Sequence, residues 1–146
     1  MGVPCYYESI SFICFSLGTH LVLESLLNLN DLKVYNRIHE VFFLGGAAQI
    51  NMESTSTLDR FQTVNGIIVN CYSDKDWILG SLNRLRPKYS PPIGIGPFEI
   101  KNQEKTSSIF SIRKKIFNHK VSLGHTQYRG KLFTIFTDIL KKIRVK

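Results

Sequence analysis

Ile10-Ser11-Phe12-Ile13-Cys14-Phe15-Ser16-Leu17-Gly18 is the stretch on which the reading of this chain turns. Its first six residues are short, apolar and rich in β-formers, the composition of a buried strand. Ser16-Leu17-Gly18 breaks the run. From His20 to Asn28, Leu21, Leu23, Leu26 and Leu27 then recur at mixed three- and four-residue spacings, which predicts an amphipathic helix. A serine therefore sits at a tight turn between a strand and a helix.

The same alternation repeats along the chain. Ile38–Leu44 predicts a second strand, ended by Gly45-Gly46. Ser54 or Thr55 can cap a short helix running to about Phe61. Ile67–Tyr72 predicts a third strand, followed by a turn at Ser73-Asp74-Lys75-Asp76 and a helix over Trp77–Leu85. Four prolines and two glycines in residues 87–97 predict a loop without regular structure. Residues 101–115 are polar and basic and carry no pattern that assigns an element. Ile116–Leu123 predicts a fourth strand, Gly124-His125 follows it, and Tyr128–Ile143 predicts the last helix, with Leu132, Ile135, Phe136, Ile139, Leu140 and Ile143 on one face. Continuous apolar strands alternating with amphipathic helices predict an α/β fold with a mostly parallel sheet and flanking helices. In such sheets functional groups stand just beyond the C-terminal strand ends.

The 146 residues make one domain, and 43% hydrophobic residues are enough for a core. Cys5, Cys14 and Cys71 are odd in number and widely spaced, without a CxxC. That excludes a disulfide framework, argues against a zinc site, and predicts three reduced thiols in an intracellular protein. No basic segment precedes the apolar run, so no secretory signal is expected. Glu24 interrupts the most apolar stretch, Ile10 to Leu29, so no membrane-spanning helix is expected there either. The net charge of +8 is uneven: residues 101–146 carry twelve Lys or Arg against Glu104 and Asp138, while the first hundred residues carry seven basic and nine acidic side chains. A basic end can attract an anionic membrane or nucleic acid, or can be only a solvated helix face. No nucleic-acid motif accompanies it, and a nucleic-acid partner is not expected.

Three residues stand just past predicted strand ends: Ser16, Asp76 and His125. Their order in the chain, Ser then Asp then His, is that of the α/β-hydrolases. A serine hydroxyl is a poor nucleophile until a base removes its proton. His125 would take that proton, and Asp76 would hold the imidazole tautomer. The turn would aim the Leu17 backbone N–H at a developing oxyanion. The elbow pattern G-x-S-x-G reads Cys14-Phe15-Ser16-Leu17-Gly18 here, so some crowding at Cys14 is expected. Other readings stand beside this one. Ser16 could be a helix N-cap, Asp74 could be the acid, Asp76 could only cap the helix at Trp77, and His119 is a rival base lying within the fourth strand. His20 and His39 are expected to be structural.

Phe15-Ser16-Leu17-Gly18, Val41 to Ala47, Val69 to Gly80, and Gly124-His125 with Tyr128-Arg129 resemble, in order, four segments of the transmembrane and coiled-coil domain-containing protein family. That resemblance implies an α/β-hydrolase-like domain, with Ser16 on the elbow serine, Asp76 on the aspartate of a Tyr-Ser-x-x-Asp turn, and His125 on a Gly-His-x-x-Tyr histidine. Cys14 departs from the elbow glycine, and Gly46 stands where alanine is usual. Chains resembling that family are much longer. The resemblance therefore implies that residues 1–146 are the C-terminal portion of the fold, from nucleophile elbow to final helix, with the early strands missing. It further implies a bare edge on the nucleophile strand, low solubility of the chain alone, and the loss of the loop that supplies a second oxyanion donor.

The expected function is a serine hydrolase acting on small-molecule or lipid esters, with activity reduced or abolished by the truncation. The alternative is a non-catalytic binding or trafficking module on a degenerate hydrolase scaffold. No cofactor or metal is implied. Expected partners are the ester substrate, a membrane surface met through the basic C-terminal region, and the missing N-terminal half of the fold or a partner chain. The expected location is cytoplasmic or membrane-associated.

Overall fold

The computed structural model describes residues 9–52, 54–85, 89–100 and 107–144. Cys5 lies outside them. Four strands, β1 (Ile10–Phe15), β2 (Ile38–Leu44), β3 (Ile68–Tyr72) and β4 (Ile116–Lys120), form one sheet in the order β1-β2-β3-β4. All three pairings are parallel. The fold is α/β, as the alternation of elements predicts.

Helices α1 (Gly18–Asp31), α2 (Thr55–Gln62), α3 (Trp77–Leu85) and α4 (Ser107–Lys115) lie between strands, and α5 (Leu132–Arg144) follows the last one. Each new strand is added on the same side of its predecessor, so right-handed crossovers put α1, α2 and α4 on one face. The period of two in β2 shows the result. Val41 and Phe43 join the core with Val22, Leu23 and Leu26 of α1, Phe61 of α2 and Ile112 of α4. Phe42 and Leu44 point the other way, into a core with Val69, Cys71, Ile135 and Ile139 beneath α5. From Val41 to Leu44 both faces of β2 are therefore buried, which is why that run is apolar without alternation.

β1, expected from its composition to be buried, is only partly so: Cys14 is buried and Phe12 half-buried, but Ile10 is exposed and Ile13 is 59% exposed. The reason is coverage. In the described residues α5 packs over β2 and β3, and no strand pairs with the outer side of β1.

Other differences are local. The unassigned basic segment contains α4, whose only signal is the pair Ile109 and Ile112, both buried at helical spacing. β4 ends at Lys120 instead of Leu123, because Leu123 N–H turns away to Ser73 Oγ at 3.2 Å. The last helix begins at Leu132, preceded by 3₁₀ turns at His125–Gln127 and Arg129–Lys131. The proline-rich loop holds a 3₁₀ turn at Ile93–Ile95, pinned to the sheet where the buried Asn70 Nδ2 donates to Ile93 O (3.1 Å) and Gly96 O (2.8 Å).

Candidate functional site

Ser16 follows β1 directly and takes a left-handed conformation, φ +52°. For a residue with a Cβ this costs about 1–3 kcal/mol and persists only where neighbours over-determine it. Ser16 N–H donates to Leu44 O at 3.2 Å. Its carbonyl accepts from Thr19 N–H (3.2 Å), Ala47 N–H (3.0 Å) and the Thr19 hydroxyl (2.7 Å). The same Thr19 oxygen accepts from Ala48 N–H at 3.1 Å. Thr19, fully buried, thus ties the turn to the segment after β2. In the sequence Thr19 carries no signal beyond a hydroxyl three residues after Ser16.

Ser16 is not a helix N-cap. Leu17 occupies that position, and no side chain caps α1. The serine hydroxyl is therefore free for another partner. Among the described residues the Leu17 N–H has no acceptor, so it remains available to an incoming anion at the helix N-terminus. The crowding expected at Cys14 is absent. Its Sγ turns to Phe42 O at 3.4 Å, and a Cβ added at Gly18 would meet only Cys14 Cβ, at 3.7 Å.

Asp76 lies at the end of the turn after β3 and is 2% exposed. Its two oxygens do different work. Oδ1 accepts from Leu79 N–H at 3.1 Å, capping helix α3 (Trp77–Leu85), and Oδ2 lies 2.7 Å from His125 Nδ1. One carboxylate thus both caps α3 and pairs with the imidazole. Asp74, the rival, is exposed and pairs with Lys120 at 2.7 Å, which holds its carboxyl below the usual range.

His125 arrives after β4 and is buried, its ring centroid 4.9 Å from that of Phe15. Its Nε2 lies 2.7 Å from Ser16 Oγ. The Asp76 carboxylate can only accept, so Nδ1 carries the proton and Nε2 presents its lone pair to the serine O–H. Tyr128, fully buried, packs its ring 5.7 Å from Phe15 behind this arrangement. Ser73, also fully buried, joins the turns that carry Asp76 and His125: its Oγ accepts from Lys75 N–H and Leu123 N–H, each at 3.2 Å.

The other histidines stand apart. His119 is buried within β4, where burial and the nearby Lys142 lower its pKa. His20 is exposed on α1, and His39 is exposed beside Glu40. Cys14 and Cys71 are free thiols, pushed up to about 12 by burial. Among the described residues no group of His, Cys, Asp or Glu side chains could hold a metal ion, and no helix is long and apolar enough to cross a membrane. The structure thus brings together Ser16, Asp76 and His125 and leaves Asp74, His119, His20 and His39 outside. The arrangement can draw a proton from a serine hydroxyl toward a carboxylate-backed imidazole, beside a free N–H donor.

The sequence profile of a family described as "protein of unknown function (DUF726)" matches residues 7–146. An "uncharacterized membrane protein" of Caenorhabditis elegans is 28% identical over 141 residues, covering 94% of this chain and 20% of the relative. A protein of Schizosaccharomyces pombe with the same description is 32% identical over 131 residues, covering 90% of this chain and 21% of the relative. A "probable lipase" of Saccharomyces cerevisiae is 33% identical over 91 residues, covering 62% of this chain and 8% of the relative. The chain spans about a fifth or less of the length of these relatives. No solved structure matches it.

Proposed function

The chain belongs to the DUF726 family, and from that premise we propose that it carries the nucleophile, base and acid of a serine ester hydrolase on the C-terminal part of an α/β-hydrolase fold. The observation that carries this reading is the double engagement of His125, whose Nε2 and Nδ1 lie 2.7 Å from Ser16 Oγ and Asp76 Oδ2 respectively.

Ser16 Oγ attacks the ester carbonyl while His125 Nε2 takes its proton. Asp76 Oδ2 stabilises the resulting imidazolium and keeps the proton on Nδ1. The tetrahedral oxyanion is met by the Leu17 N–H, whose helix-terminal position favours negative charge. His125 returns its proton to the leaving alkoxide. Water then attacks the acyl-serine by the same route, with His125 again as base. One oxyanion donor is assigned. A second such donor is worth roughly 100- to 1,000-fold in rate, and it would come from chain outside these residues.

The name of the yeast relative supports a lipid ester as substrate. Hydrolysis of p-nitrophenyl esters of short and long acyl chains tests the reading. Turnover by the chain that falls about 1,000-fold or more in Ser16→Ala supports it. Equal turnover in both proteins refutes it.

A further inference from the structure

We infer that the rim of the Ser16 site is a docking surface for an anionic lipid bilayer. The inference builds on the reading of Ser16 as a nucleophile, because it states how an ester in a membrane would reach that residue.

In a parallel sheet the helices that follow β1, β3 and β4 all begin at the strand C-terminal end, the end that carries Ser16, Asp76 and His125. Side chains in a first helical turn lean toward the helix N-terminus. At these three starts that is toward the end of the sheet that carries the site. Such positions usually hold caps and carboxylates that answer the helix dipole. In α1, α3 and α5 the first turn itself holds no acidic residue, the Asp76 cap of α3 standing one residue before it and facing inward to His125. It holds large apolar side chains in water instead: Leu21 of α1 (74% exposed), Trp77 of α3 (72%) and Phe133 of α5 (86%).

The charge at this end suits an anionic partner. Lys75, Arg129 and Lys131 are exposed on the turns after β3 and β4 and make no ion pair among the described residues. The exposed carboxylate of these turns, Asp74, is already neutralised by Lys120. Leucine and aromatic side chains flanked by unpaired Lys and Arg are the composition of an interfacial surface, in which apolar groups enter the acyl boundary and cations meet anionic headgroups. Seated this way, Ser16 faces the bilayer. This differs from a membrane contact made by the C-terminal basic run as a whole, because it assigns the contact to three helix starts and two turns.

Trp77 is the single tryptophan of the chain and reports on its own environment. The 146-residue chain is mixed with vesicles of phosphatidylcholine alone, and with vesicles of phosphatidylcholine and phosphatidylserine. Binding is read by flotation and by Trp77 emission. The expected result is flotation with phosphatidylserine vesicles and a blue shift of Trp77. Leu21→Ser with Phe133→Ser lowers partitioning at least about tenfold. Arg129→Gln and Lys131→Gln each weaken the phosphatidylserine preference about fivefold. Leu32→Ser, an exposed position at the far end of α1, leaves partitioning unchanged and controls for surface apolarity in general. Thermal melts establish that each variant folds.

Equal partitioning of the wild-type and the Leu21→Ser, Phe133→Ser chain overturns the proposal. So does binding without a Trp77 shift, which would place the contact on another face. So does self-association in the absence of vesicles that the same two substitutions abolish, which would make a second copy the occupant. Ser16→Ala is expected to bind vesicles like the wild type. A chain that binds but never hydrolyses would therefore refute the enzymatic reading alone, and a hydrolase indifferent to vesicles would refute this one alone.

Discussion

Asp76 and His125 meet through Oδ2 and Nδ1 at 2.7 Å, while the other oxygen of the same carboxylate caps α3 through the Leu79 N–H. One side chain thus fixes the start of a helix and the orientation of the imidazole. Asp76→Asn removes the charge, and its amide favours the wrong imidazole tautomer. Ester turnover should fall by about 10,000-fold, as expected when the acid of such a relay becomes an amide. Asn remains a competent cap, so the thermal midpoint should move little. Asp74→Asn, which removes only an exposed pair with Lys120, should leave turnover within about twofold. Parallel rate and melting measurements on the two variants check this.

Gly45 and Gly18 should respond oppositely to alanine. Gly45 has φ +50°, and a Cβ there would meet Tyr128 Cε2 at 3.0 Å. Gly45→Ala should cost about 1–3 kcal/mol and lower turnover as well, because Tyr128 packs on Phe15 and Phe15 on His125. Gly18→Ala meets only ordinary contact with Cys14 and lies in the first turn of α1, so its stability should stay within about 0.5 kcal/mol of the parent. Denaturant titration distinguishes these outcomes.

The Tyr128 hydroxyl is buried and has no hydrogen-bond partner among the described residues. Its ring, by contrast, fills the space under Phe15 and beside Gly45. Tyr128→Phe should therefore be neutral or raise stability by up to about 1–3 kcal/mol, while Tyr128→Ala should lower it by about 3–5 kcal/mol. A marked loss in Tyr128→Phe would mean that the hydroxyl is engaged.

Burial pushes the Cys14 and Cys71 thiols from 9.0 up to about 12. The folded state holds these protons more tightly than the unfolded chain does. Their contribution to stability is fully present below the unfolded value and is lost as pH rises from there through the folded value. Melting temperature should therefore fall in that alkaline window, and the fall should shrink in Cys71→Ala relative to its own neutral-pH value. At neutral pH, iodoacetamide should modify Cys14 and Cys71 only after denaturation, as read by peptide mass.

β1, β2 and β3 were legible because each is mostly apolar and is followed by a Gly or Ser break, as Val41–Leu44 before Gly45 illustrates. The convergence of Ser16, Asp76 and His125 followed from that regularity, since parallel strands deliver their following turns to one end. What escaped the sequence was set by tertiary contacts. α4 shows only Ile109 and Ile112 within a basic run, and its burial depends on α2 and the sheet. Residues 121–123 are as strand-like as those before them, but they leave the ladder because Ser73 captures Leu123 and the chain must turn to carry His125 inward. The exposure of Ile13 is not written in the local composition, which looks buried; it follows from β1 standing at the edge of the described sheet.

The most direct measurement of the central claim is fluorophosphonate labelling of the folded chain followed by peptide mapping. A single adduct on Ser16, lost in His125→Ala and in denaturant, is the predicted result. A cooperatively folded chain whose Ser16 stays unmodified, or reacts no faster folded than unfolded, would contradict it.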